Sequence, residues 1–132
     1  AVLWFFTKSA YAGFLCFISG TLIDADHILE YAIHHRSKGF SFEKICRACD
    51  ETSRQEGELM FPKIYLFLHS WEVAILGWIA SVYCNNAYLL AAVIGYTAHL
   101  MLDALQNCAY PHSYFIIWRL IKNFNTRDLL SK

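Results

Sequence analysis

The chain has 132 residues, enough for one domain with a single core, and its formal net charge is zero. That balance excludes the basic surface of a nucleic-acid binder. Apolar residues make up 57% with only 2 Pro and 6 Gly, a mixture that favours helices over a turn-dense β fold. Five cysteines, an odd number with Cys16, Cys84 and Cys108 in apolar context, do not form a disulfide framework and point to a reducing compartment.

The first apolar run covers Ser9 to Ile23, with an extension back to Ala1 interrupted by Lys8. It continues directly into acidic residues, so it reads as mature protein rather than a cleaved leader. The motif that follows, "TLIDADHILE", places Asp24, Asp26, His27 and Glu30 on the opening turns of a second helix. There Asp24 and His27 share a face, and Asp26 and Glu30 share the next. His34 and His35 close that helix on a solvated face.

A charged amphipathic insert over residues 36–60 comes next. Its helix puts Phe42, Ile45, Cys46 and Cys49 on one face and charges on the other, with Ser41 as N-cap. Cys46 and Cys49 form a lone C-x-x-C; a four-ligand zinc site needs a second pair, and the apolar stripe accounts for both thiols.

His69 immediately precedes the second run, Val73 to Cys84, with Glu72 on the first turn. Asn85-Asn86 makes a tight connection to the third run, Ala87 to Leu102, which continues as helix past Asp103. His99 and Asp103 stand four apart on one face, behind Ala91, Ala92 and Gly95, small residues that let a partner helix approach closely. A last aromatic helix, "SYFIIWRLIKNF", carries Arg119 and Lys122, and His112 lies in the loop before it.

If neighbouring helices alternate in direction, the three polar motifs meet at one end of the bundle and the Asn85-Asn86 turn lies at the other. Each motif has a plainer reading: a core histidine, an acidic helix start, ordinary small-residue packing. Together they leave several carboxylates to be buried with few cations nearby, which is costly unless metal compensates. The expected shell is Asp24, Asp26, His27, His69, His99 and Asp103, more than one tetrahedral ion needs, so one or two ions fit. Mixed nitrogen and carboxylate ligands suit zinc, with manganese or iron next, over magnesium or calcium. Asp26, Glu30 and Glu72 are the candidate bases.

"LIDADHILEY", "LHSWE" and "GYTAHLMLDALQN" together resemble the YdjM-type family of membrane-bound metal-dependent hydrolases, and "YPHSYFIIWRL" resembles the aromatic–Arg segment that follows in such proteins. Two departures stand out. The proline usual before the first Asp is Ile23, and of the H-R-G-x-T-H-S motif only His69 and Ser70 carry over. The resemblance implies metal-dependent hydrolysis, and more remotely the helical fold of zinc-dependent phospholipases C and nucleases, in which H-x-x-x-D also binds metal.

The expectation is therefore an all-α bundle of four to six helices with a metal site at one end, possible to embed in a membrane. The expected activity is hydrolysis of a small-molecule or lipid phosphoester by metal-activated water. The alternative is a non-catalytic, membrane-associated adaptor with a structural metal; its protein partner is not identified by the sequence. Ser9–Ile23 has 15 residues and Ala87–Leu102 has 16, each short of the roughly 20 of a standard span, so soluble cytoplasmic helices are the rival to insertion. If the helices span, 10 of the 11 Lys and Arg lie on the motif side, which puts the site at the cytoplasmic face of the inner membrane.

Overall fold

A computed structural model of the chain describes residues 9–106 and 110–130. The extension back to Ala1, Lys8 and Cys108 lie outside these residues. The fold is an all-α bundle. Among the described residues the main helices are α1 (Ala10–Leu22), α2 (Ala25–His35), α3 (Phe42–Arg54), α4 (Trp71–Tyr83) and α5 (Ala87–Gln106), followed by the short α6 (Ile116–Ile121) and α7 (Thr126–Leu129). Among the described residues the only β pairing is an isolated antiparallel bridge between Lys63 and Asn125.

α1 runs along α5, which also packs against α4. The small residues of α5 set this geometry as expected. A Cβ on Gly95 would overlap the Cys16 carbonyl of α1, and one on Gly20 would lie 3.2 Å from the Gly95 carbonyl oxygen. The two backbones touch, and Ser19 donates from its hydroxyl to the Ala92 carbonyl at 2.6 Å. α1 ends at the buried Ile23, but Ile23 and Asp24 keep helical dihedrals, so α2 follows almost without a break. Asn85 takes φ 45°, a left-handed conformation asparagine tolerates, and the Asn86 side chain accepts from the amides of Tyr88 and Leu89 to start α5.

Two apolar clusters organise the rest. Ile23, Ala74, Leu100 and Tyr114 pack where α1, α4 and α5 meet; Tyr31, Ile45, Ala48, Leu59 and Phe61 fasten the insert to α2. Three expectations change. The buried stripe of α3 is Ile45, Ala48 and Thr52, whereas Phe42 and Cys46 are exposed, and Ser41 caps without a side-chain bond. His35 is buried rather than solvated, with Nε2 2.8 Å from the Leu59 carbonyl, because the insert folds back over the end of α2; His34 stacks on Tyr65. The last aromatic helix is shorter than its apolar run, because Pro111–Tyr114 forms a 3₁₀ turn and Phe115 is extended.

Large apolar side chains cover the outside. Tyr11, Phe14 and Phe17 on α1, Ile75, Leu76 and Ile79 on α4, and Met101, Leu102 and Leu105 on α5 are all exposed. The stretches Ala10–Lys38 and Ala87–Gln106 are long and apolar enough to cross a membrane. Only 17% and 22% of their most apolar windows are buried, the reverse of a soluble core helix.

The α1–α5 seam predicts opposite outcomes for two glycines. Gly95→Val should destabilise by at least the ~1–3 kcal/mol of an overpacked core, lowering the thermal midpoint of the purified protein. Gly13→Ala should hold or raise it, since a Cβ there meets nothing within 4 Å.

Candidate metal centre

Three places in the fold supply the polar cluster: the α1–α2 junction, the segment before α4, and the last two turns of α5. Asp24 occupies the N-cap position of α2, where an aspartate ordinarily accepts from a helix amide, yet it makes no such bond. Its Oδ1 lies 3.1 Å from His99 Nε2 and 3.8 Å from His69 Nε2. Asp103 Oδ2 is 3.2 Å from His69 Nε2 and 3.3 Å from His99 Nε2. The His27 ring centroid is 4.9 Å from that of His69. The sequence-predicted residues do converge, and at one end of the bundle.

They are not equivalent. Asp26 addresses the other nitrogen of His69, with Oδ2 3.5 Å from Nδ1. The same oxygen accepts from the backbone amides of Leu68 and His69, the latter at 3.2 Å. Asp26 thus orients the imidazole from behind, as carboxylates do for metal-ligating histidines. Glu30 and Glu72, the expected bases, are also held by backbone. Glu30 is fully buried and accepts from Tyr65 N at 3.1 Å and Leu66 N at 3.4 Å, with His34 Nε2 3.3 Å away. Glu72 accepts from Ile117 N at 3.1 Å and so ties α6 to α4. Both carboxylates fix the chain around the centre; neither is among the groups that contact its imidazoles.

Residues 65–70 hold His69 in place without regular structure of their own. Their amides donate to Glu30 and Asp26, and their carbonyls receive Arg119, which is buried. The guanidinium donates to Tyr65 O at 2.8 Å, Leu66 O at 2.6 Å, His69 O at 2.6 Å and Ser113 O at 2.5 Å. Tyr96 adds bonds from its hydroxyl to the carbonyls of Leu68 and Ser70. Sequence reasoning assigned no role to Arg119 or Tyr96. The signal for Arg119 was a lone guanidinium among Phe115, Ile116, Trp118 and Leu120, where only a buried set of acceptors makes it tolerable.

Both ring nitrogens of His69 and Nε2 of His99 are buried with no hydrogen-bond partner. The carboxylates lie at ion-pair distance but not in hydrogen-bonding geometry. Buried polar atoms are nearly always satisfied; Nδ1 of His69 is turned to Asp26, so the two Nε2 atoms are the ones that call for a further partner. Asp24, His69 and His99 each offer a donor atom, all within 4.8 Å of one another, and a nitrogen–carboxylate set of this kind fits a divalent transition metal. The C-x-x-C lies outside this set: Cys49 packs against the apolar cluster of the insert, where burial pushes its thiol up to about 11, and Cys46 is exposed.

Burial alone would lower the His69 imidazole, but the neighbouring Asp103 and Asp26 more than reverse this and hold it above its ordinary value. In metal-free protein the imidazolium–carboxylate contacts therefore contribute stability that is complete below the unfolded histidine value and lost as pH rises through the folded one.

Comparison with protein-family models, with curated proteins and with solved structures yields no match.

Two measurements follow from this geometry. Metal ligation needs the neutral imidazole, so affinity for Zn²⁺ should rise as pH increases through the raised His69 value; calorimetric titrations at several pH values test this. Arg119→Met strands several carbonyls at about 1–3 kcal/mol each and should destabilise the protein by at least about 2 kcal/mol. Arg119→Lys should not rescue it, because an ammonium cannot match the planar fork; denaturation of the purified variants reads both.

Proposed function

We propose that this chain is a membrane-inserted, metal-dependent hydrolase of phosphoesters. The observation that carries the reading is the set of orphaned nitrogens on His69 and His99 facing the carboxylates of Asp24 and Asp103. His69 Nε2, His99 Nε2, Asp24 and Asp103 would hold the ion, zinc by preference, and Asp26 would keep the His69 ring in register. A divalent ion held there supplies Lewis acidity and lowers the pKa of water towards about 7. In the hydrolysis, water oxygen forms the new bond to phosphorus, the ester P–O bond breaks, and the proton released by water ends on the departing alcohol. His27 lines both cavities that reach the cluster and would carry that proton.

The resemblance of "DADH", "LHSWE" and "AHLMLD" to YdjM-type hydrolases supports the same reading. The structural-metal alternative is less well supported, because the Asp24 side chain is 56% exposed and a closed structural site shields its ligands. For the membrane, the support is the exposed apolar surface of α1, α4 and α5, and the excess of Lys and Arg on the motif side favours a cytoplasmic centre.

His99→Ala and Asp103→Ala should each remove most of the metal, measured by elemental analysis, and abolish hydrolysis of generic phosphoesters while helicity persists. His112→Ala, in an exposed turn, should do neither. His27→Gln should separate the roles: retained metal with a rate lower by about 10²–10⁴ marks a proton carrier, and lost metal marks a ligand. A metal-replete protein inactive on a broad phosphoester panel would return the adaptor reading. Cys84, exposed beside the Asn85 turn, should react with an impermeant maleimide on whole cells, and a cysteine at Gln106 should not. Recovery in the soluble fraction without detergent would overturn insertion and leave the metal centre standing.

A further inference from the structure

The walls of the metal centre differ in chemistry. On one side a cavity of about 200 Å³ runs from His27, His69 and Asp103 to Ser113 and Arg119. On the other a cleft of about 620 Å³ opens between the start of α2 and α3. Leu22, Ala25 and Ile28 form one wall of this cleft, and Phe42, Ile45 and Cys46 the other; its acidic and imidazole groups are Asp24 and His27, members of the metal cluster. Its volume lies in the range of about 300–1,000 Å³ of small-molecule sites. The rim is apolar as well: Leu22 is 59% exposed, Ile28 47% and Phe42 80%. Phe42 stands next to Glu43 and Lys44 on a helix otherwise charged on its outside, and lipid is a better neighbour for such a ring than water.

Resting on the hydrolase reading, we infer that the substrate is a lipid phosphoester, with its phosphate at the Asp24–His69–His99 centre and an acyl chain in the cleft between α2 and α3. Two features favour an acyl chain over a soluble apolar group. The cleft begins where α1, whose outer face is aromatic and exposed, gives way to α2, so a chain can enter from the bilayer without crossing water. Its ionisable oxygen and nitrogen groups belong to the cluster, and the one hydroxyl on its wall, Thr21, is turned to the Phe17 and Ile18 carbonyls, which matches an amphiphile with one charged end.

A long-chain lysophosphatidic acid with a photoactivatable diazirine in the acyl chain tests the assignment on detergent-solubilised protein. Crosslinks should map to residues 22–28 and 42–49. Unmodified lysophosphatidic acid should compete, and glycerol 3-phosphate at the same concentration should not. Cys46→Trp should cut labelling there by about tenfold, equivalent to about 1.4 kcal/mol of lost affinity. Ala25→Phe, which narrows the cleft from the other wall, guards against a misfolded first variant, and Ile79→Trp on the outer face of α4 should change nothing. Metal content of the same samples reports whether the centre is intact. Labelling spread over the outer faces of α1, α4 and α5, or unmoved by the cleft substitutions, overturns the inference, as does equal competition by glycerol 3-phosphate. Hydrolysis of soluble phosphoesters is scored separately. Activity without cleft labelling removes the lipid substrate and keeps the hydrolase, whereas cleft labelling without activity on any ester removes the hydrolase and keeps a lipid site.

Discussion

The geometry of the centre depends on how residues 65–70 are held. The segment has neither helix nor ladder to satisfy its backbone, yet it delivers the most buried imidazole of the cluster. Its amides are taken by Glu30 and Asp26 from α2, its carbonyls by Arg119 from α6 and Tyr96 from α5. A loop buried this way would carry unpaired peptide groups without those side chains. The arrangement also balances charge at a distance. The guanidinium sits against carbonyls while the carboxylates sit against amides, so peptide dipoles take much of the place of water around these buried groups.

This division explains why so many ionisable groups occupy one end of an apolar bundle. Some hold the polypeptide; others are left free to hold something else. Asp26 joins the two sets, since one oxygen receives backbone amides and faces the His69 ring. His69 can then present Nε2 to Asp24, Asp103 and His99 in a single orientation. Preorganisation of that kind comes before any chemistry a bound ion could perform.

The sequence made the helices legible because their apolar runs are long and the Asn85-Asn86 connection is unambiguous. The meeting of the three motifs followed from helix alternation alone, and the Gly95 seam from the small residues one turn before His99. The roles of the carboxylates were not legible. At i, i+4 spacing Asp26 and Glu30 look alike, the first expected as a ligand or base and the second as a base, because spacing on a helix says nothing about which loop will dock against it. Arg119 escaped notice for a related reason: apart from Ser113, its partners are carbonyls about fifty residues away in sequence, and peptide groups carry no residue type to read. His34 and His35 were misplaced because the insert that covers them returns from beyond residue 58.

The contact of Gly95 with the Cys16 carbonyl makes α1 and α5 a measuring device. With backbones touching, the helices cannot slide or roll without collision, so the offset between the residue that ends α1 and the last turns of α5 is fixed. Asp24 lies two residues past Leu22, and His99 lies one turn beyond the contact glycine. One residue gained or lost between Gly95 and His99 would swing the imidazole by about 100° around the helix axis. The insert between α2 and α4 lies off this seam and carries none of the cluster residues. It supplies the α3 wall of the cleft, while the register of the centre is set to the single residue by the spacing on either side of the glycine.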